Sequence, residues 1–376
     1  MNQDFENRLT TIAAEFRENS KNYSEILSIH HTDADGISSG AIIQNLLSSM
    51  GLPFRQIANN LDQPWEKFLD TINSQIRQNS AIIFSDCAPS AINLHKILQD
   101  EPDVHFYILD HHVFQHDPKQ QLSESIYNGN PTEFGLSGLK DIAGATLNYL
   151  FARAVDPKYS RFAWLAAVGM GGDTLEHFDN YRSYNKQVIM EAAELKQIEL
   201  KKGLCAYGSM HERLDKVLAH SILPYIPKCE GNPEKAKVIL EGLNIDYRKK
   251  VEELTEIETE AIATALHPTL KGIYITFPKK TGVFHYSFEH AQLISLIGHD
   301  NPLLALKLIE ERAPSSELKE KYRDFIEKLA KYLTIFMNIP KVETQHALVV
   351  DVSGHIPLPL WSDISSFSTI NKIYPI

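Results

Sequence analysis

The sequence predicts an α/β fold: a parallel-sheet domain with helices on both faces, a helical linker and a smaller α/β C-terminal domain. Three observations carry this expectation. Short apolar runs alternate with segments of helical apolar spacing through the first half, the pattern of a parallel sheet built by crossovers. Three of those runs end in acidic or histidine residues, as expected where a ligand sits beyond the carboxyl ends of the strands. The chain has 376 residues, 43% hydrophobic and 23% charged, enough for two domains with their own cores.

Taken in order, residues 1–22 read as an amphipathic helix, and Ile26–Ile29 as a buried strand. HHTDADG then leads into ISSGAIIQNLLSSM, which has helical spacing. Gly51, Leu52 and Pro53 break that helix before a strand at Phe54–Ala58. A helical stretch from Trp65 to Gln78, a strand at Ala81–Phe84, a helix from Ser90 to Leu98 and a strand at Val104–Leu109 follow. A polar loop, Gln115–Gly138, precedes helices at Asp141–Ala154 and Arg161–Val168. Asp179–Leu218 reads as mainly helical. Beyond it KGIYITF, VFHYSF and ALVVDV read as strands and 302–337 as helical. The expected domains are 1–195, a helical linker at 196–215, and a C-terminal domain at 216–376.

Cys87, Cys205 and Cys229 form no close pair. They offer no zinc-finger or redox motif, which fits a reducing compartment. The N-terminus has no apolar signal-peptide core and no run approaches a membrane span. The expected location is the cytoplasm, with no membrane partner. The net charge of -11 argues against a broad electrostatic grip on a long polyanion. Bound divalent cations would invert the local field, so a short single strand or a small nucleotide remains compatible.

The chemistry-bearing residues fall in four groups. His31, Asp33 and Asp35 lie within five residues ahead of a helix. Carboxylate oxygens suit hard divalent cations, and imidazole suits manganese. In an extended segment alternate residues point the same way, which would aim the three at one place. Asp35 or Ser38 could instead simply cap the helix. Asp86 ends the run AIIF and taken alone reads as a turn or cap residue. Asp110, His111 and His112 end another run, an uncommon combination there. Asp173 sits in GMGGDT, whose glycines free the backbone to turn or approach a ligand; a capped helix end is the alternative. A dinucleotide-binding reading fails, because the glycine spacing is wrong and no strand precedes it.

In order, the set is HxDxDG, Asp, DHH and GGDT. It resembles the four-motif signature of the DHH superfamily of phosphoesterases. That group includes RecJ-like exonucleases, oligoribonucleases, cyclic-dinucleotide phosphodiesterases and family II pyrophosphatases. The resemblance covers about residues 26–177, and HTDADGISSGAI is similar in form to archaeal RecJ-like nucleases and their CDC45 relatives. It implies two divalent metals, manganese with magnesium as a weaker substitute, about 3.5–4 Å apart. One would take His31, Asp33 and Asp86; the other Asp35, Asp86, His111 and Asp173. The catalytic residues would be His112, touching the phosphate or the leaving oxygen, and Asp110, orienting a histidine.

The implied activity is hydrolysis of single-stranded DNA or RNA or of short oligonucleotides, with replication or repair partners. The alternatives are a phosphodiesterase for linear or cyclic dinucleotides and a non-catalytic CDC45-like scaffold; pyrophosphate hydrolysis is the weakest. The second half should be a divergent DHHA1-like substrate-binding domain. It lacks the usual glycine-rich GGGH stretch, since only Gly354 lies beyond Gly298. His30 is expected to pack, and His285, His290 and His299 to be structural. Lys279 and Lys280 read as a solvated turn, and Tyr286 and Phe288 as a strand's core face.

Overall fold

Helix α1 (Gln3–Asn19) begins where the Asn2 side chain accepts from the Phe5 N–H, and it buries Phe5, Leu9, Ile12, Ala13 and Phe16. That is the spacing of one helical face. The structure, a computed structural model, describes residues 2–371 apart from 62–63, 74–75, 102, 118–120, 139, 174–180, 279–283 and 345–347.

The expected α/β class is found. Strands β1 (Glu25–His31), β2 (Phe54–Asn59), β3 (Ser80–Ser85), β4 (His105–Leu109) and β5 (Ile126–Asn128) form one parallel sheet in the order β2-β1-β3-β4-β5. Helices α2 (Ala34–Met50), α3 (Trp65–Asn73) and α4 (Ala91–Asp100) make the crossovers. They are followed by α5 (Gly144–Val155), α6 (Ala163–Gly172) and α7 (Ser183–Glu194). β1 and β3 are buried on both faces, so they read as apolar runs rather than alternating ones.

On one face Leu27, Ile29, Ile82, Phe84, Phe106 and Ile108 pack with α3 and α4 through Phe68, Leu69, Ile72, Leu94 and Ile97. Each such fully buried side chain stabilises by roughly 1.5–3 kcal/mol. On the other face Phe16 of α1 meets Tyr107 edge-to-face at 5.2 Å, and Ser85 Oγ donates to Asn148 Oδ1 of α5 at 2.9 Å. The strand order reverses at β1, which is flanked by β2 and β3. Ligand crevices of such sheets open beyond the carboxyl ends at that reversal.

The chain groups into two units. One comprises Met1–Glu199, Phe277–Val283 and His290–Ala313; the other comprises Leu200–Thr276, Phe284–Glu289 and Pro314–Ile376. Residues 290–313 therefore belong with the sheet, although they fall within the expected C-terminal span 216–376. The second unit holds β6 (Glu199–Leu204), α8 (Leu214–Ala219), α9 (Pro233–Gly242), α10 (Glu256–Ala265) and β7 (Lys271–Thr276). Helix α11 (Ser287–Gly298) and helix α12 (Pro302–Glu311) follow, then α13 (Ser316–Asn338), the antiparallel pair β8 (Lys341–Glu343) and β9 (Leu348–Val350), and α14 (Trp361–Ile370). Within the second unit α13 buries Tyr322, Ile326, Leu329 and Leu333, and the Tyr322 hydroxyl donates to the Gly208 carbonyl at 2.8 Å.

Four expectations about local structure are corrected. The stretch 196–215, expected to be a helical linker, contains β6. Its Glu and Lys suit a helix, but β6 pairs with β7 and Cys205 donates to the Leu270 carbonyl, so tertiary pairing overrides propensity. VFHYSF is not a strand: Tyr286 makes an isolated bridge to Thr276, and α11 starts at Ser287. The helical span 302–337 is split, because Arg312 adopts a left-handed φ of 53° ahead of Pro314. β5 lies within the expected loop 115–138; at three residues it is too short to show a period.

Tyr286 and Phe288 are buried, packed on Tyr274 and Tyr207. His285 pairs with Glu252 at 2.8 Å, and His290 is fully buried. Lys279 and Lys280 lie outside the described residues. The three cysteines are buried and unbridged. Among the described residues no helix is long and apolar enough to cross a membrane.

Candidate metal centre

The carboxyl ends of β1, β3 and β4 carry the residues singled out in the sequence, and α2, α5 and α6 complete the surround. His31 is the last residue of β1, and its Nδ1 lies 3.0 Å from Asp33 Oδ2 and 4.0 Å from Asp86 Oδ2. Asp33 is the N-cap of α2, and its Oδ1 accepts from the Gly36 N–H at 2.9 Å. One carboxylate thus starts the helix with one oxygen and faces His31 with the other.

The anticipated alternation over His31, Asp33 and Asp35 is not how they converge. Asp35 already lies in the first turn of α2, and the chain folds back so tightly that a Cβ on Gly36 would fall 2.5 Å from His31 atoms. Asp35 is fully buried. Its Oδ2 accepts from the Gly144 N–H at 2.7 Å and its Oδ1 from the Ala145 N–H at 2.8 Å. These are the first amides of α5, where the helix end favours negative charge. Burial and the charge of Asp33 nevertheless push the Asp35 carboxyl above its usual range.

Asp86 follows β3 with a φ of 60°, a left-handed conformation that Asp tolerates better than most residues. Its N–H donates to the Leu109 carbonyl at 3.1 Å, tying the end of β3 to that of β4. Its carboxyl is buried, and burial together with Asp35 raises its pKa well above the usual value.

His111 is also buried. Its Nδ1 lies 3.0 Å from the Gly138 carbonyl and 3.2 Å from the Ile142 carbonyl. Carbonyls only accept, so Nδ1 carries the proton. Nε2 then faces Asp86 Oδ1 at 3.1 Å, Asp35 Oδ2 at 3.7 Å and Asp173 Oδ2 at 3.7 Å. Neither Nε2 nor Asp86 Oδ1 has a well-aligned hydrogen bond, although both are buried. A lone pair set against three carboxylates is repulsive unless a positive species lies between them. Without metal that species is a proton: burial acts to lower the His111 pKa, but the surrounding carboxylates carry it well above the usual value.

His112 is the exposed member of the set, with 61% of its side chain open to solvent. Its Nδ1 lies 2.8 Å from Asp110 Oδ1, which also accepts from the His112 N–H at 3.2 Å. Asn130 Nδ2 donates to the His112 carbonyl at 2.6 Å. Asp173 caps the C-terminus of α6, its N–H donating to Gly169. Two glycines of GMGGDT serve close packing: a Cβ on Gly169 would lie 2.5 Å from Asp35 Oδ1, and one on Gly172 would lie 2.9 Å from the Asp35 nitrogen. Thr174 lies outside the described residues.

Three groupings bring ligand atoms within 4.8 Å of one another: Asp86, Asp110, His111 and His112; His31, Asp33 and Asp86; and Asp35, His111 and Asp173. All eight residues singled out in the sequence thus lie in one of them. Mixed oxygen and imidazole donors, with an imidazole lone pair already aimed inward, fit divalent metal ions of the manganese and magnesium kind.

Sequence reasoning missed the supports. Asn185 Oδ1 accepts from the Ala143 N–H and the Thr146 hydroxyl, on either side of the two α5 amides that hold Asp35. Asn148 Nδ2 donates to the carbonyls of Leu109 and Gly144. Gly144 is the sharpest omission. A Cβ there would lie 2.5 Å from Asp86 Oδ1, and a glycine opening a helix is the available sequence signal of such an approach. Gly144→Ala should therefore weaken Mn²⁺ binding by at least about tenfold with the far-ultraviolet circular dichroism retained. Titration at wild-type affinity would show that Asp86 needs no such space.

No family model matches the chain. An uncharacterized protein of Methanocaldococcus jannaschii is 26% identical over 260 residues, which is 67% of this chain and 56% of the relative. The chain thus spans little more than half the length of that relative. Among solved structures, CDC45 from Entamoeba histolytica matches with a TM-score of 0.68 at 15% identity, covering 98% of this chain and 83% of that one. Exonuclease RecJ bound to manganese matches at 15% identity over 88% of this chain and 68% of that chain, with a TM-score of 0.47. The CDC45 likeness establishes a shared fold; the weaker superposition adds nothing to it.

Proposed function

We infer that this chain, which combines the DHH-type fold with the motif set of the DHH superfamily, is a metal-dependent phosphodiesterase acting on single-stranded nucleic acid or short oligonucleotides. The observation that carries the reading is His111. Its Nδ1 is committed to two carbonyls, and its Nε2 is aimed at the carboxylates of Asp35, Asp86 and Asp173. Such an arrangement has little structural use without a cation.

The ligands would be His31, Asp33 and Asp86 on one side and Asp35, Asp86, His111 and Asp173 on the other, with Asp86 shared. When bound, two divalent ions, Mn²⁺ by preference, supply an acidified water and neutralise charge on phosphate oxygens. The chain supplies the rest. The α5 amides fix both oxygens of Asp35, and the two carbonyls fix the His111 tautomer. Asp110 holds the Nδ1 side of His112, leaving its exposed Nε2 for a phosphate oxygen or the leaving oxygen. Substrate binding by the DHHA1-like span 216–376 is part of the same proposal.

Two other readings have a specific support. A small-nucleotide phosphodiesterase suits the net charge of -11 and the missing glycine-rich stretch. A CDC45-like scaffold suits the shared fold, but the complete ligand set opposes it. The test is Mn²⁺-dependent hydrolysis of labelled single strands of graded length, blunt duplex, linear and cyclic dinucleotides, and pyrophosphate. Single strands should be cut and duplex spared, with a shallow salt dependence because few phosphates are gripped. A sharp optimum at two nucleotides would move the assignment to dinucleotides. Metal binding without hydrolysis of any of them would leave the scaffold.

A further inference from the structure

The metal-ligand loops are held by a helix from far along the chain. Ser295 Oγ accepts from the Ala34 N–H at 3.0 Å. Ala34 is the first residue of α2, between Asp33 and Asp35, and its amide is one of those a helix cannot satisfy internally. Asp33 already serves Gly36, so Ser295 supplies an acceptor that the local sequence does not. One turn earlier, buried Gln292 donates through Nε2 to the Gly171 carbonyl at 3.3 Å, in the last turn of α6 before Asp173. One turn later, Gly298 packs so closely that a Cβ would lie 2.1 Å from the Thr32 carbonyl oxygen. The three residues recur at i, i+3 and i+6, one face of α11. All three touch main chain beside a ligand carboxylate.

We propose that Gln292, Ser295 and Gly298 are positioning residues for the metal centre, a clamp that sets the start of α2 against the end of α6 so that Asp35 and Asp173 face His111 together. The proposal rests on the metal-centre reading above and extends it to residues that carry no ligand atom. Ordinary helix packing would need only apolar contact. Here polar side chains are committed to the main chain of both ligand-bearing turns, and Gly298 admits the approach that makes this possible.

The test uses the full chain, titrated with Mn²⁺ by calorimetry, with the melting temperature of the metal-free protein measured alongside. Ser295→Ala and Gln292→Leu should each weaken Mn²⁺ binding by about tenfold or more, with a lower metal-free melting temperature where the partnered main-chain group is left buried. Ser295→Thr, which keeps the hydroxyl, should restore affinity. Turnover of the alanine variant should recover at saturating Mn²⁺. If Ser295→Ala does not fold, Gln292→Leu reads the same quantity on the α6 side. Wild-type Mn²⁺ affinity in folded Ser295→Ala and Gln292→Leu would overturn the clamp, as would a fall in melting temperature with affinity unchanged. If the wild-type chain binds no Mn²⁺ at all, the metal-centre reading fails and the clamp with it.

Discussion

Replacing Asp86 should eliminate Mn²⁺-dependent hydrolysis, whereas replacing His112 should slow it and leave the metal in place. Asp86 belongs to two of the three ligand groupings, is buried, and lies 3.1 Å from His111 Nε2. Its loss removes the one carboxylate that, among the described residues, pairs with both His31 and His111. The expected fall in turnover is at least about 1,000-fold, equivalent to ~4 kcal/mol, with one Mn²⁺ fewer bound per chain. Asp86→Ala alone would be ambiguous, because the residue sits at a φ of 60° and alanine there costs about 1–2 kcal/mol. Asp86→Asn keeps a side chain that tolerates this backbone and removes only the charge, so it should lose activity comparably. His112 is largely exposed and supported by Asp110, so His112→Ala should lower turnover by about 100-fold with Mn²⁺ stoichiometry intact. Asp86→Asn binding metal with wild-type stoichiometry would remove Asp86 from the centre.

What was legible in the sequence follows the range of the interactions. Strands β1, β3 and β4 were visible because each is a short, largely buried run followed by polar residues; β2, FRQIAN and half-buried, was marked by the break at Gly51, Leu52 and Pro53 ahead of it. β5 was not visible, since three residues on β4 acquire their meaning only from pairing with it. The ligand residues were legible as types and in order, but the way they converge was not. Alternation suggested an extended His31-Asp33-Asp35; capping by Asp33 instead turns Asp35 into a helix, where the amides of residues 144 and 145 receive it. Nothing near position 35 announces a partner more than a hundred residues away. Ser295 and Gln292 were invisible for the same reason. The Glu- and Lys-rich stretch at 196–215 misled in the opposite direction, because a local preference for helix yields to pairing with β7.

Metal should also reverse the pH dependence of stability. Burial and neighbouring charge hold the carboxyls of Asp35, Asp86 and Asp173 above their ordinary value of 3.8. Each therefore keeps a proton in the folded chain at a pH where the unfolded chain has released it. Stability from these groups falls as pH rises from that ordinary value through the raised one. His111 acts in the same direction. Burial works to lower its pKa, but the carboxylates raise it above 6.5, so its contribution is complete below 6.5 and is lost as pH rises through the folded value. Asp33 opposes them. Removal from water works to raise its pKa, but His31 and the Gly36 amide bring it below 3.8; its contribution is present above that value and is lost only on further acidification.

As pH rises from the ordinary carboxyl value to about 8, the Asp33 contribution is therefore constant, while those of Asp35, Asp86 and Asp173 decline and, above 6.5, that of His111 declines as well. The melting temperature of the chelated protein should fall across that interval. Binding of Mn²⁺ displaces the same protons, so its affinity, and with it the gain in melting temperature, should grow with pH. At a free concentration a hundred times Kd the gain corresponds to ~2.7 kcal/mol per site. Thermal denaturation in chelator and in Mn²⁺ at each pH reads both slopes. A Mn²⁺ increment that shrinks towards about pH 8, or is absent there, would contradict an inward-facing His111 lone pair as the heart of the centre, because that lone pair competes for metal best once its proton has gone.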